Sequence, residues 1–212
     1  MHPRPRRKQL LPYLTRPVIP YLTHGLDAAP DLLAAASLLM VGGGELADLP
    51  NLLTDLSRGP LARTPVLLHI DLVDGLANDE AGLKYVATLP RLDGIVTVRQ
   101  HLAPLARKLG LLCVVRLFLQ DGRAVERGLQ VIERAQPDAV ELLPGVAFLE
   151  VADRFNHLPN TPCIAGGLIR TPEIVRKIIN AGAKAVSTTN TELWALNRAS
   201  RMTNDETRMT NQ

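Results

Sequence analysis

Five short apolar segments of this 212-residue chain end in side chains that can hydrogen-bond or carry charge. In an extended strand alternate residues face the same side. Leu67, His69 and Asp71 therefore share a face, as do Ile95, Thr97 and Arg99, and Leu112, Val114 and Arg116. Ala139 with Glu141, and Ala185 with Ser187 and Thr189, repeat the pattern. If these faces point into one interior, His69, Asp71, Arg99, Arg116, Glu141, Ser187 and Thr189 meet at one end of it. Such a mouth can hold a small polar ligand, and His69 beside Asp71 could do acid–base work. The plainer alternative is that Asp71 and Glu141 pair with Arg116 and Arg99 and merely close the end, because buried charges need partners. Desolvating two arginines and two carboxylates costs several kcal/mol that an apolar plug would avoid. That cost favours a ligand site.

A second constellation follows the last two apolar segments. Cys163-Ile164-Ala165 runs into Gly166-Gly167-Leu168-Ile169-Arg170-Thr171-Pro172, and Ala185-Val186 runs into Ser187-Thr188-Thr189-Asn190. Glycines let backbone N–H groups approach an anion closely. The hydroxyls stand at the start of a short helix, whose N-terminus favours negative charge. Loops after the seventh and eighth strands of an eight-stranded barrel commonly bind phosphate in this way. The alternative is a tight turn followed by an ordinary capping box. No P-loop and no GxGxxG motif follows a strand. His2, His24, His69, His101 and His157 are scattered, so we expect no metal site and no cofactor.

The elements that must position these groups alternate strictly. Strands are expected at residues 18–22, 38–41, 65–70, 94–98, 112–117, 139–142, 163–165 and 185–188. Helices are expected at 28–35, 45–58, 79–88, 100–109, 122–135, 146–156, 172–181 and 190–197. Eight strands each followed by a helix call for an α/β fold, a parallel sheet covered by helices. A small (β/α)8 TIM-like barrel in one domain satisfies the count, with an open doubly wound sheet as runner-up. The repeating part spans residues 17–197, short of the roughly 200 residues usual for such barrels. Its connections must therefore be brief, and the second unit, with Gly42-Gly43-Gly44, is the expected irregular one. Thr171-Pro172-Glu173 reads as a capped helix start, Thr189-Asn190-Thr191-Glu192 as a capping box, and Gly110 and Gly182 as left-handed helix ends.

Composition narrows the classes. The chain is 46% hydrophobic and 21% charged, a globular balance that excludes collagen, coiled coil and wholesale disorder. No apolar run reaches the roughly 18 residues of a membrane span. Of the formal charge of +3, five basic residues and no acid fall in residues 1–16. We expect that segment to be a basic, flexible arm and residues 198–212, with Arg-Met-Thr-Asn repeated, to be a polar disordered tail. Seven aromatics, 3% of the chain, argue against a sheet that stacks RNA bases. Cys113 and Cys163 lie in apolar segments and read as buried, reduced thiols of a cytosolic protein.

At these residues the chain resembles the glycerol-3-phosphate-responsive antiterminator family, the glycerol uptake operon regulators. The similar stretches are His69-Ile70-Asp71-Leu72 with Gly75 and Asp79-Glu80, Gly94-Ile95-Val96-Thr97 with Arg99, and Arg116-Leu117-Phe118-Leu119. Pro137 to Gly145, Ala165 to Thr171 and Ser187 to Trp194 complete the set, from about Val18 to Trp194. The resemblance implies a small eight-fold barrel and a cytoplasmic regulator that is not an enzyme. It also implies glycerol-3-phosphate as effector and leader mRNA as the partner whose binding prevents transcription termination. On that reading Gly167, Thr189 and Asn190 would hold the phosphate, with Gly166, Ser187 and Thr188 also in the ligand site and Arg170 closing over it. His69, Asp71 and Glu141 would take the hydroxyls, while Arg99 and Arg116 position the carboxylates or reach the phosphate. Residues 38–44 depart from the family, lacking its acidic, histidine-containing strand end.

Two rivals belong to other classes: a barrel isomerase or lyase acting on a small phosphorylated metabolite, and a metabolite-binding protein without RNA. With a body near neutrality, a homo-oligomer is one way to gather weak basic patches against a polyanion, and the sequence leaves the oligomeric state open. No RNA-contacting surface can be assigned from the sequence.

Overall fold

The computed structural model describes residues 9–23, 30–158 and 160–198. Eight parallel strands close into a barrel in chain order: β1 (Val18–Leu22), β2 (Leu39–Gly42), β3 (Val66–His69), β4 (Gly94–Thr97), β5 (Leu112–Phe118), β6 (Ala139–Leu143), β7 (Cys163–Gly166) and β8 (Ala185–Thr188). Parallel neighbours cannot be joined by hairpins, so helices make the crossovers. These are α1 (Pro30–Leu33), α2 (Leu49–Leu56), α3 (Glu80–Val86), α4 (Ala103–Lys108), α5 (Gly122–Ala135), α6 (Phe148–Asn156), α7 (Pro172–Asn180) and, after β8, α8 (Thr191–Trp194). The (β/α)8 barrel expected from the alternation is the observed fold.

Short helices let so few residues close a barrel. Two helices, α1 and α8, have four residues each, and α4 has six. The helix expected from residue 45 starts only at Leu49. Leu46 N–H donates to Asp74 O and Asp74 N–H to Gly44 O, tying Glu45 into a parallel bridge with Asp74. Gly43 and Gly44, at φ +84° and +87°, make the turn into that bridge.

Two packed layers divide the apolar residues. Ile19, Met40, Leu67, Val96, Val114 and Ile164 fill the barrel interior, while Val41, Leu68, Ile95, Val115, Val140 and Val186 pack outward under the helices. This corrects the phase expected for β4. Gly94 and Val96 face inward, and Ile95 faces the helices. An inward Cβ at Gly94 would lie 2.5 Å from Leu112 O and 2.8 Å from Leu67 Cδ2, so the barrel tolerates no larger residue there. Both phases of β4 are apolar, which is why alternation alone chose the wrong one.

Part of the expected arm packs. Leu10, 1% exposed, plugs the interior from the N-terminal end of the strands, and residues 11–13 form a 3-10 turn. Residues 1–8, with four of the five basic groups of the expected arm, lie outside the described residues, as do residues 199–212 of the expected tail. At the chain's other end the buried Asn197 receives Val18 N–H on Oδ1 at 3.1 Å and donates Nδ2 to Val18 O at 2.8 Å. It holds β1 in the closed sheet.

Cys113 and Cys163 are free and buried, and burial pushes both thiols up to about 12. The thiolate is the reactive form, so neither cysteine should react with a maleimide at pH 7 in the folded protein. Both should react at the rate of global unfolding. Native labelling faster than unfolding, followed by mass spectrometry, would contradict this burial.

Candidate functional site

Strand register brings the polar strand ends together at the C-terminal mouth. Arg116 is the register partner of Glu141, and Gly166 of Ser187. Glu141, 1% exposed, receives Arg116 Nε on Oε2 at 2.6 Å and the Ser187 hydroxyl on Oε1 at 2.5 Å. Gly166 is required beside this pair: a Cβ would lie 2.5 Å from Ser187 Oγ and 2.8 Å from Glu141 Oε1. Burial opposes the charge on Arg116, but Glu141 more than compensates and holds its pKa above the ordinary arginine value. The guanidinium is therefore a permanent cation in the mouth.

A second network stands across the opening. Strand β3 ends at His69, and the chain turns into a 3-10 segment, Ile70–Leu72, so Asp71 is not the next inward strand residue. Its carboxylate nevertheless returns to the mouth. It receives Val98 N–H at 2.8 Å and the Thr97 hydroxyl at 3.1 Å, and lies 3.5 Å from both His69 Nε2 and Arg99 Nε. Arg99 follows the end of β4 instead of sharing its inward face, and its side chain remains about half exposed. Burial pushes the Asp71 pKa up, but His69 and the N–H and O–H donors outweigh it and set the pKa below the usual carboxylate value.

Tyr21, which the sequence reading missed, joins the two networks. Its hydroxyl lies 2.7 Å from His69 Nδ1, and Arg116 Cζ sits 5.6 Å from its ring centroid. Burial raises the phenol pKa, so at neutral pH Tyr21 keeps its proton and can donate it to Nδ1. His69 Nε2 then carries hydrogen toward Asp71, although it makes no hydrogen bond of good geometry. The signal was present, since Tyr21 alternates with inward Ile19 on β1. Gly42 accommodates the ring: a Cβ there would lie 2.0 Å from the Tyr21 oxygen. The glycine ending of β2 thus makes room for a polar group contributed by β1.

The loops after β7 and β8 leave neighbouring strand ends. Gly167 and Leu168 are consecutive left-handed residues at φ +75° and +57°, and both are exposed. Among the described residues no acceptor meets the N–H groups of Gly167, Leu168 or Thr189. The Asn190 N–H is occupied by Thr188 Oγ1 at 3.1 Å. Asn190, not Thr189, caps α8, accepting Glu192 N–H on Oδ1 at 3.0 Å, and Trp194 Nε1 anchors Thr188 O at 2.9 Å. The capping-box reading therefore shifts by one residue, which frees the Thr189 hydroxyl. Thr171 caps α7 as expected, and Gly110 and Gly182 adopt the expected positive φ. Arg170 is exposed and bonds no described residue. No group of three or more potential metal ligands exists among the described residues.

A carboxyl with a depressed folded pKa contributes stability above its unfolded value and loses it as pH falls through the folded one. Asp71 should therefore make the barrel lose stability below about pH 4, and Asp71→Asn should flatten that decline. Identical urea-unfolding profiles for the two proteins between pH 3 and 6 would contradict the Asp71 network.

An eight-stranded barrel with charge pairs and unmatched backbone donors at its C-terminal mouth defines the class of small barrels whose strand ends form the binding face. The family model for glycerol-3-phosphate responsive antiterminators matches residues 18–194, and the chain belongs to that family. The solved structure of a glycerol uptake operon antiterminator regulatory protein from Listeria monocytogenes strain 4b F2365 is 34% identical with a TM-score of 0.72. The match covers 84% of this chain and 94% of that one. A glycerol uptake operon antiterminator-related protein from Thermotoga maritima MSB8 is 29% identical, also with a TM-score of 0.72, covering 84% and 98%. The uncharacterized protein YgcP of Escherichia coli K12 is 34% identical over 129 residues, 61% of this chain and 67% of that one. No helix among the described residues is long and apolar enough to cross a membrane.

Proposed function

We propose that this chain is a non-catalytic cytoplasmic antitermination regulator that binds glycerol-3-phosphate in its barrel mouth and the leader mRNA of glycerol-catabolic genes. The observation that carries the ligand reading is the pair of loops after β7 and β8, where unmatched N–H groups stand beside a buried Arg116–Glu141 pair. The phosphate rests on the N–H groups of Gly167, Leu168 and Thr189 and on the Thr189 hydroxyl, with Gly166 keeping the backbone close. Asn190 contributes its side-chain amide. Ser187 and Thr188 support the cradle from behind, since their hydroxyls already bond Glu141 and Asn190 N–H. His69, Asp71 and Glu141 face the glycerol hydroxyls; Arg99, 3.5 Å from Asp71, and Arg116, 2.6 Å from Glu141, position the two carboxylates. Arg170 closes over the phosphate from the β7–α7 loop.

Ligand strengthens RNA binding only if it binds the RNA-competent state more tightly, so the two affinities must be coupled reciprocally. The Tyr21–His69–Asp71 chain favours a second reading, an isomerase or lyase on a small phosphorylated metabolite, because it could shuttle a proton. RNA gel shifts with and without glycerol-3-phosphate, together with a turnover assay, separate the readings. Ligand-dependent RNA retention without turnover supports the regulator. Turnover replaces it with the enzyme, and ligand binding without RNA leaves a simple metabolite binder.

A further inference from the structure

The longest helix among the described residues, α5 (Gly122–Ala135), buries Ala124, Val125, Gly128, Ile132 and Ala135 against the barrel. Its opposite face carries Arg123, Arg127 and Arg134, with Gln130 between them, all exposed. Their spacings of four, three and four residues keep these four side chains within a narrow stripe at 3.6 residues per turn, about 16 Å long at 1.5 Å per residue. None of the three arginines bonds a carboxylate among the described residues. The helix's acids do not neutralise the stripe. Glu126 and Glu133 lie on its flank, and Glu126 is held by Arg154 of α6 at 2.7 Å. At the helix end Arg107 of α4 donates to Ala135 O and Gln136 O, and Lys108, the next residue in the chain, is exposed.

A surface of unpaired arginines in a body that is otherwise near neutral costs self-repulsion and is complementary to a polyanion. The planar guanidinium, always charged, binds phosphate oxygens in a fork. The chain also enters here: Gln9 and Leu10 line a 720 Å³ cleft with Ile132, Glu133 and Gln136, and Arg4, Arg6, Arg7 and Lys8 directly precede them in sequence. Gly128 of α5 packs on Leu117 of β5, the residue after Arg116, so the helix rests on the strand that supplies the mouth's cation.

We propose that the outer face of α5, through Arg123, Arg127 and Arg134 with Lys108, is the surface that grips the RNA phosphate backbone. The inference rests on the RNA-binding reading above and names its surface. An Arg123→Gln/Arg127→Gln/Arg134→Gln variant of the full chain tests it against a fluorescein-labelled hairpin RNA, titrated by anisotropy at several salt concentrations. Circular dichroism and glycerol-3-phosphate affinity report that the barrel is intact. A control carries Arg58→Gln, Arg63→Gln and Lys177→Gln, exposed basic residues on other elements.

The expected result is an affinity loss of about tenfold or more at low salt and a salt slope shallower by about 2–3, for three lost phosphate contacts. The control should keep the wild-type affinity and slope. If the wild type binds RNA and the α5 variant binds it with the same slope, this surface is wrong and the function reading stands. If the control loses as much as the α5 variant, the grip is diffuse and the assignment falls. If the wild type binds no RNA with or without glycerol-3-phosphate, both fall together.

Discussion

Arg116→Met is expected to destabilise the barrel by about 3–5 kcal/mol, the usual cost of stripping one partner from a buried ion pair. Methionine replaces most of the aliphatic stem, so little packing is lost. What remains is Glu141, 1% exposed, with only the Ser187 hydroxyl to satisfy it. Removing both charges is different, because a buried pair replaced by apolar side chains is often neutral or stabilising. Arg116→Met/Glu141→Leu should therefore recover most of the loss while binding no ligand. Urea unfolding of the four proteins closes the cycle. A single-variant cost below about 1 kcal/mol would mean the pair behaves as an exposed surface bridge and is no part of a desolvated mouth.

Thr189→Asp is expected to have the largest functional effect. Thr189 is exposed and its hydroxyl bonds no described residue, so the substitution should leave stability nearly unchanged. In the proposed complex it sets a carboxylate against the phosphate. Like charges so placed cost several kcal/mol, a loss of about two to three orders of magnitude in affinity. Thr189→Ser keeps the hydroxyl and should bind within a few-fold of wild type. Calorimetric titration of both variants separates charge repulsion from simple crowding. Undiminished affinity in Thr189→Asp would remove the β8 loop from the site.

Most of this fold was legible because strand and helix signals alternate along the chain and each carries a different period. Glu141, Arg116 and Ser187 were legible for a related reason: each follows small or aliphatic residues at even spacing, so one inward face decided all three. The phase of β4 was not, because Gly94, Ile95 and Val96 are apolar on both faces and the choice depends on Leu67 and Leu112 in neighbouring strands. Asp71 reached the mouth by a route the pattern does not encode, a 3-10 turn that ends the strand at His69. Tyr21 was overlooked because an aromatic residue in an apolar strand reads as core, and only the fold shows His69 Nδ1 at its hydroxyl. Helix α8 likewise hides its cap in sequence, since Thr189 and Asn190 are both capping types and Thr189 also completes a capping-box spacing with Glu192. Only the backbone shows that Asn190 is used.

Ligand recognition as proposed depends on a phosphate seat formed by the loops that follow β7 and β8. Isothermal titration of the wild-type chain with glycerol-3-phosphate, with glycerol and inorganic phosphate as comparison ligands, tests that claim most directly. Saturable binding of the phosphate ester at one site per chain, much tighter than either fragment and abolished by Thr189→Asp, is the predicted result. Absence of binding, or equal binding by the Thr189→Asp variant, would contradict it.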